Sequence, residues 1–447
     1  MTWLRIILIL FFGVVISCQN QNTTKTEIES NTTVNYPRYS NDTLAHQGVI
    51  LEKGPWQQAA NTTTPNLFSD GSKLYLTWIQ RHDSGAQLMY CVWDQNRWSA
   101  PQVIAQGDDW FINWADFPQF SAVKDTLIAT FLQKSDVGTY TYDIYYTLKR
   151  GLSSWTQPKK LHRDTIKAEH GFVSIAPSQD EFLISWLDGR NTVPMTQSGQ
   201  TEFHDMHHQQ GYSAMTLRSV SVDFQGVLGQ ESLVDSMVCD CCQTAITVDN
   251  QGRAHIAYRG RSQQENRDIL LKSGHPDKGW DQTQRTQDGW LISGCPVNGP
   301  SIDSVEDQLV LAWFSGAQDN PRVQVAFSPT HNLNLTPPTR MDSGAAIGRV
   351  DVVQLSSDTA VVTWIEPLGQ EDLLRAQWFN NQGQKGPLLT IAKTSSDRAT
   401  GFPRLVRHRD FLYLANTTTH SDKTTEIALS SWPISLMMPS ELTLEDE

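Results

Sequence analysis

Three of the six cysteines in the chain fall within four positions, in the octet VCDCCQTA. Cys239, Cys241 and Cys242 could hold copper(I) or zinc through their thiolates, or they could form disulfide bonds. A fourth cysteine, Cys295 in GCPVNGP, could join them in either role. Which chemistry applies depends on the cellular compartment and on the fold that positions the octet.

Arginines and carboxylates form a second set of chemically capable residues. The guanidinium fork of arginine matches carboxylate or sulfate groups in bidentate geometry. The candidate ligand-binding residues are Arg190, Arg259, Arg261, Arg349, Arg404, Asn298, Gln243 and His170, and the candidate catalytic residues are Asp116, Asp188, Asp351 and Glu366. In the alternative interpretation, the arginines pair with these carboxylates and only tie the structure together.

A short pattern of alternating apolar residues that ends in an aromatic residue recurs along the chain. Its copies are LYLTW ending at Trp78, LIATF at Phe131, FLISW at Trp186, AHIAY at Tyr258, LVLAW at Trp313, AVVTW at Trp364 and a weaker FLYLAN at Asn416. Period-two alternation is typical of a half-buried strand. Further strand-like segments flank each copy. We therefore predict that each repeat unit, a copy with its flanking segments, forms four antiparallel strands.

Seven repeated units of four antiparallel strands indicate an all-β fold, a β-propeller with seven blades. A six-bladed ring is an alternative because the seventh copy is degenerate, and an array of β-sandwiches is a further one. The last unit has only three strands, so we expect the segment from Gly48 to Gly54 to supply its outer strand and close the ring. The long gap after Trp186 predicts an insertion in blade three. His204, His207 and His208 lie in this insertion, where they form a solvated loop or, alternatively, a metal site.

The N-terminus predicts export. A single charge, Arg5, precedes an apolar run that is too short to span a bilayer and has the shape of a signal peptide. The run ends in VISC, which resembles the lipobox of bacterial lipoproteins, and this resemblance implies lipid on Cys18. We expect a signal peptide at 1–18, a disordered tether at 19–46, the propeller at 47–434 and an acidic tail at 435–447, with the chain anchored at the outer membrane or cell surface.

Charge and composition exclude some partners. The formal net charge of -13 argues against nucleic acid and against an anionic membrane surface as partner. We expect a monomer without a cofactor, attached to the membrane only through Cys18.

The repeats resemble those of the sialidase and BNR-repeat propellers across residues 50–434. SPTHNLNL lies where that family carries its Asp-box, although Thr330 and Asn332 replace the aspartate and the glycine. The segments VCDCCQTA, GCPVNGP, GRVDVV and GFPRL look closer to bacterial envelope proteins labelled sialidase-like. The family resemblance implies a propeller that holds a sugar carboxylate with three arginines and cleaves with a tyrosine–glutamate pair and an aspartate. Against this activity, TPNLF in the first blade lacks the family's arginine, and no tyrosine falls on the same face in a late blade.

Propeller topology places the candidate residues on one face. The start of an inner strand and the end of the second strand lie at the same end of a blade, so these residues should surround the mouth of the central channel. The octet then lies at the start of blade four and Cys295 at the start of blade five. We therefore predict a disulfide from Cys295 to one of the three octet cysteines. A vicinal Cys241–Cys242 bond or a thiolate metal site are the alternatives, and Cys91 should be a buried free thiol.

The sequence thus favours a lipid-anchored envelope propeller that recognises an acidic glycan, or another carboxylate-bearing ligand, at the arginine-rich mouth. It leaves open whether the protein also hydrolyses that glycan. A non-catalytic propeller that binds an envelope protein and a cysteine-centred metal or redox protein are the alternatives.

Overall fold

The structure, a computed structural model, describes residues 48–193, 214–281 and 283–438. Cys18, the segment 19–46 and His204, His207 and His208 lie outside the described residues, and so does most of the segment 435–447. Within the described part of the chain, no helix is long and apolar enough to cross a bilayer. The helical elements described there are 3-10 turns at Pro55–Gln58, Ala317–Asp319, Arg398–Thr400 and Ile434–Leu436.

Across the described residues, thirty strands form seven sheets arranged as the blades of a β-propeller, which confirms the seven-bladed prediction. Blade 1 contains β2 (Thr62–Ser69), β3 (Leu74–His82), β4 (Gly85–Asp94), β5 (Arg97–Trp98) and β6 (Gln102–Gly107). Blade 2 contains β7 (Phe120–Val123), β8 (Thr126–Lys134), β9 (Tyr142–Arg150) and β10 (Lys159–Lys160). Blade 3 contains β11 (His170–Pro177), β12 (Glu181–Asp188), β13 (Met215–Asp223) and β14 (Ser232–Val238).

The next two blades follow the same antiparallel order. Blade 4 contains β15 (Ala245–Val248), β16 (Ala254–Arg259), β17 (Ile269–His275), β18 (Gly279–Trp280) and β19 (Gln284–Arg285). Blade 5 contains β20 (Ser301–Val305), β21 (Gln308–Ser315), β22 (Arg322–Pro329) and β23 (Thr339–Arg340).

The last two blades complete the ring. Blade 6 contains β24 (Gly348–Gln354), β25 (Thr359–Leu368), β26 (Glu371–Asn380) and β27 (Lys385–Thr394). Blade 7 contains β28 (Arg404–His408), β29 (Phe411–Thr419), β30 (Thr425–Pro433) and, as its outer strand, β1 (Ile50–Leu51).

Closure of the ring by the N-terminal strand is confirmed. Ile50 pairs with Ser431 and Leu51 with Ser430 in antiparallel register. The first strand of the described chain therefore covers the edge that blade 7 would otherwise expose. At the other end, Met437 is fully buried and accepts the indole N–H of Trp432 at its sulfur, 2.9 Å away, so the described residues beyond 434 pack on the propeller.

The repeated aromatic residues lie in the hydrophobic clusters between neighbouring blades. Trp78, Phe131, Trp186, Tyr258, Trp313 and Trp364 all lie in the second strand of a blade, and each is buried. The aromatic rings fill the space between neighbouring sheets, where a large side chain removes the most apolar surface from water. This common role explains why the aromatic residue recurs from blade to blade.

Candidate functional site

The segment 113–118, which connects blades 1 and 2, contacts the inner-strand starts of blades 3, 4 and 7. The side-chain amide of Gln243, in blade 4, donates to the carbonyl of Ala115 at 2.7 Å. Oδ1 of Asp116 accepts the backbone N–H of Phe172, in blade 3, at 2.7 Å. The Trp114 ring stacks on Phe402 at the start of blade 7, with centroids 5.7 Å apart. This segment therefore packs against the starts of the inner strands, at the end of the propeller where the sequence predicted the channel mouth.

Gln243 also joins this segment to the start of blade 5. Its Oε1 accepts the backbone N–H of Gly299 at 3.1 Å, while its amide nitrogen holds Ala115. Any side chain at Gly299 would meet the backbone carbonyl of Gln243 at 2.2 Å, which explains the glycine in GCPVNGP. Gln243 thus makes contacts that fix the start of blade 5 against the segment 113–118.

Arg259 is buried and its guanidinium is surrounded by backbone carbonyls. It donates to the carbonyls of Arg267 at 2.6 Å, Asn298 at 2.7 Å and Phe314 at 2.8 Å, and it lies over the ring of Trp290. These acceptors come from blades 4 and 5, so Arg259 ties the two blades together.

Arg349 is held in a similar way at the start of blade 6. Its guanidinium donates to the hydroxyl of Thr400 at 2.8 Å, to the carbonyl of Gly401 at 2.9 Å and to the carbonyl of Ser396 at 2.7 Å. Its backbone N–H donates to Oδ1 of Asn298 at 2.7 Å. Burial lowers the pKa of Arg349 to about 10, so the group remains a cation at neutral pH.

A backbone irregularity directs the Arg349 side chain. Arg349 has a φ of 54° and lies at a break in the register between β24 and β25. A bulge of this kind turns one side chain out of the regular alternation of a strand. Phe172 in blade 3 occupies the equivalent break between β11 and β12, with a φ of 53°.

Arg404 and Asp351 form an ion pair at the start of blade 7. Nε of Arg404 lies 3.5 Å from Oδ2 of Asp351, and the arginine side chain is 30% exposed. Asp351 itself is buried and accepts the hydroxyl of Ser301 at 2.7 Å and the backbone N–H of Leu405 at 2.8 Å. The guanidinium of Arg404 lies over Phe117, 5.5 Å from the ring centroid. Of the arginines at this end of the mouth, Arg404 thus keeps a solvent-facing cation.

Arg190, Asp188 and His170 form a second group, at the junction of blades 2 and 3. Arg190 grips Asp188 with two nitrogens, at 2.7 and 2.6 Å, and also pairs with Asp164 and Glu231. Burial favours a raised pKa for Asp188, but the bonds from Arg190 keep it below its usual value. A cavity of about 750 Å³, lined in part by Asp164, Arg190 and Glu231, opens beside this group.

His170 belongs to a buried histidine pair that the sequence did not reveal. Its ring stacks on His162 with centroids 3.8 Å apart, and Nε2 lies 3.3 Å from Oδ2 of Asp164. Bonds to the two histidines hold the pKa of Asp164 below its usual range although burial opposes this. His162 and His170 lie close enough to Asp143 to hold a metal ion together, as do Asp164, His170 and Asp188.

Asp188 and Glu366 occupy equivalent positions in blades 3 and 6. Each lies two residues after the buried tryptophan of a second strand and accepts its indole N–H, at 2.9 Å from Trp186 and 3.0 Å from Trp364. Glu366 also accepts Nε of Arg375 at 3.0 Å. Residues two apart on a strand share a face, so the carboxylate satisfies the indole N–H that its own strand buries.

Arg261 is bound by two carboxylates on the rim of blade 4. It lies 3.1 Å from Oδ2 of Asp240 and donates to Oε1 of Glu265 at 2.8 Å. The direct contacts divide most of the sequence-predicted residues into two groups. Arg259, Arg349, Asn298 and Gln243 meet at the starts of blades 4 to 6, whereas Arg190, His170 and Asp188 lie together at the blade 2–3 junction.

Asp116 belongs to a three-residue cluster whose other members the sequence did not indicate. The hydroxyl of Tyr142 lies 2.8 Å from Oδ2 of Asp116 and 2.9 Å from Oε1 of Glu169. Burial raises the pKa of Asp116 to about 7. Burial and the nearby Asp116 and Asp240 raise that of Glu169 to about 8. Glu169 directly precedes His170, so its position at an inner-strand start was the signal that could have identified it.

The cysteines lie where the topology predicted. Cys241 and Cys295 form a disulfide that links the starts of blades 4 and 5, which confirms the predicted bridge. Cys239 and Cys242 are buried free thiols with their sulfurs 3.5 Å apart. Cys91, in the third strand of blade 1, is also a buried free thiol, as expected.

No protein-family model matches the chain, and no curated protein matches it. Among solved structures, polysaccharide lyase Uly1 is similar at 8% identity over 83% of this chain and 90% of that chain, with a TM-score of 0.50. Trypanosoma rangeli sialidase in complex with sialic acid matches at 10% identity over 80% of this chain, with a TM-score of 0.44. Penicillium chrysogenum alpha-L-arabinanase complexed with arabinobiose matches at 9% identity over 85% of this chain and 95% of that chain, with a TM-score of 0.45.

The chain spans 58% of the length of the matched trypanosomal sialidase. At these identities the likeness concerns the fold, a β-propeller, and leaves the activity to be argued from the residues of this chain.

Proposed function

We propose that the protein is a lipid-anchored propeller of the bacterial cell envelope that binds an acidic glycan over the channel mouth. One observation carries the proposal. The partly exposed ring of Trp114 lies beside the guanidinium groups of Arg349, 5.0 Å away, and Arg398, 6.0 Å away, and is backed by Phe402. An aromatic face can pack against a sugar ring, and an arginine beside it can hold the sugar's carboxylate or sulfate.

The arginines near Trp114 differ in their exposure to solvent. Arg349 is buried, bonded to carbonyls and in contact with the Trp114 ring, whereas Arg398 is exposed and Arg404 is 30% exposed. Arg398 and Arg404 are therefore the residues that would meet an anionic group on a ligand. We call Trp114, Arg398 and Arg404 the mouth platform.

Binding of acidic oligosaccharides to the purified protein tests this function. Isothermal titration should detect binding of uronate-containing, sulfated or sialylated oligosaccharides. Neutral oligosaccharides should not bind. Trp114→Ala and Arg398→Ala should each weaken it by at least ten-fold, and Arg97→Ala, which removes an exposed arginine from the rim of blade 1, should not. If both platform variants bind as the unaltered protein does, the mouth is not the glycan site.

Hydrolysis of the same glycan is a second candidate, favoured by the Asp116–Tyr142–Glu169 cluster. Two carboxyl groups with raised pKa values that share one tyrosine hydroxyl are suited to proton transfer near neutral pH. Tyr142 is buried, whereas Glu169 is partly exposed, so Glu169 is the member that could meet a substrate. An enzyme would release reducing ends from the glycan. The Glu169→Gln variant should then lose this release while it binds the glycan as before. Binding without turnover would support a recognition module.

A further inference from the structure

The four cysteines at the mouth differ sharply in their access to solvent. Cys295 is exposed and its disulfide partner Cys241 is partly exposed, whereas Cys239 and Cys242 are buried. The sulfur atoms of Cys239, Cys241 and Cys242 all lie within 4.8 Å of one another. A buried dithiol therefore lies in direct reach of a disulfide whose other end faces solvent.

The surroundings of Cys239 stabilise a thiolate. Nη1 of Arg267 lies 3.1 Å from its sulfur, and this arginine is itself buried. The hydrogen bond from Cys242, helped by the charge of Arg267, lowers the pKa of the Cys239 thiol, while burial raises the pKa of Cys242. Cys239 and Cys242 also have the Cys-x-x-Cys spacing, in which one cysteine commonly has a depressed pKa.

We propose that these residues form a thiol–disulfide relay, in which the buried pair Cys239 and Cys242 exchanges with the solvent-facing disulfide Cys241–Cys295. The sulfur separations and the contrast in exposure carry this proposal. It does not depend on glycan binding or on the position of the protein in the cell.

The internal steps conserve disulfide bonds. The thiolate of Cys239 attacks the sulfur of Cys241, a Cys239–Cys241 bond forms, and Cys295 leaves as a thiolate. Cys242 then loses its proton and attacks Cys239, which forms a Cys239–Cys242 bond and releases Cys241 as a thiolate. The proton from Cys242 is available to the released pair, and no electrons are gained or lost overall.

The external step requires a small-molecule disulfide such as oxidised glutathione. The Cys295 thiolate attacks it, forms a mixed disulfide and releases one glutathione thiolate. Cys241 then attacks the Cys295 sulfur, re-forms the Cys241–Cys295 bond and releases the second glutathione. Over the whole cycle the buried pair, which starts as one thiolate and one thiol, loses two electrons and one proton, and oxidised glutathione is converted to one glutathione thiolate and one glutathione thiol. Each chain can thus reduce one molecule of oxidised glutathione with its buried dithiol.

Alkylation of the native protein tests the internal exchange. N-ethylmaleimide should trap Cys295 as its thiolate is released, and peptide mass spectrometry should then find the label on GCPVNGP and a disulfide between octet cysteines. Cys239→Ala should slow this labelling at least ten-fold, whereas Cys91→Ala, which removes a buried thiol outside the cluster, should leave it unchanged. Equal labelling of Cys295 in the unaltered protein and in Cys239→Ala would overturn the relay.

A second measurement needs no variant, so it holds even if Cys239→Ala fails to fold. Incubation with oxidised glutathione should lower the mass of the folded protein by two hydrogen atoms and yield a Cys239–Cys242 disulfide. A buried pair that stays reduced under these conditions contradicts the proposal. So does one equivalent of zinc or copper per chain in the purified protein, because that result would make the thiols metal ligands instead.

Discussion

Oε1 of Glu169 lies 2.9 Å from the hydroxyl oxygen of Tyr142, which is also 2.8 Å from Oδ2 of Asp116. A hydroxyl has one proton and can donate to only one of these oxygens. The second short contact therefore requires that one carboxyl group is protonated and donates to the tyrosine. Because Oδ1 of Asp116 already accepts the N–H of Phe172, the arrangement favours a protonated Glu169 that donates to Tyr142, with Tyr142 donating to Asp116.

This arrangement predicts a stability that falls as the pH rises. The folded pKa values of about 7 for Asp116 and about 8 for Glu169 exceed the ordinary values of 3.8 and 4.5, so the folded state binds these protons more tightly. Their contribution is complete below about pH 4 and is lost as the pH rises through 7 and 8. The free energy of unfolding, measured with denaturant across this range, should fall less steeply for Glu169→Gln. Glu371→Gln, on the exposed start of β26, is the matched control and should keep the original slope.

Loss of the Cys241–Cys295 bond should lower stability. The bond closes a loop with a sequence separation of 54, and the chain-entropy model assigns a loop of this size about 4 kcal/mol. We expect the free energy of unfolding of the double variant Cys241→Ala/Cys295→Ala, measured with denaturant, to be lower by about 4 kcal/mol. The double variant is preferred because a single change would leave the other cysteine of the bridge free to pair with Cys239 or Cys242. An unfolding midpoint identical to that of the unaltered protein would mean that the bridge does not hold blades 4 and 5 together.

The fold was predictable because its determinants are local. The alternation of apolar and polar residues within a strand and the large aromatic residue in a second strand can be recognised in a single repeat. The recurrence of this pattern along the chain strengthens the prediction. The partner of β1 followed from the missing outer strand of the last unit, and the cysteine bridge followed from the adjacency of successive blade starts.

The chemistry of the site was less predictable because it depends on tertiary distances. The sequence shows that Arg259 is at a strand end, but only the fold reveals that the carbonyls of Asn298 and Phe314 surround its guanidinium. The same holds for Tyr142 and Glu169, which the junction of blades 2 and 3 brings together across 27 positions. Polar residues at such junctions find partners that no local pattern specifies.

Lipid on Cys18 is a prediction from the sequence that can be tested independently of the propeller. The signal-like run ends at this cysteine, so acylation there should attach the chain to the membrane. Cys18→Ala should give a protein that is released from the membrane fraction or that keeps its signal peptide. Cell fractionation combined with N-terminal mass spectrometry decides the matter, with Cys91→Ala as the control that retains the anchor. A correctly processed Cys18→Ala protein in the membrane fraction would rule out this anchor.

Arg349 and Arg404 should respond differently to the same substitution. Arg349→Ala removes a buried guanidinium and leaves the carbonyls of Ser396 and Gly401 without this donor. Removal of one partner from a buried hydrogen bond costs about 1–3 kcal/mol, so the free energy of unfolding should fall clearly.

Arg404→Ala removes a partly exposed cation that makes one long ion pair with Asp351. This substitution should lower the free energy of unfolding only slightly. It should weaken the binding of acidic oligosaccharides, most clearly at low salt, where the charge is least screened. Denaturant unfolding and isothermal titration on both variants separate the two roles. Undiminished binding by a fully stable Arg404→Ala protein would exclude Arg404 from the mouth platform and leave Trp114 and Arg398 as the residues to test next.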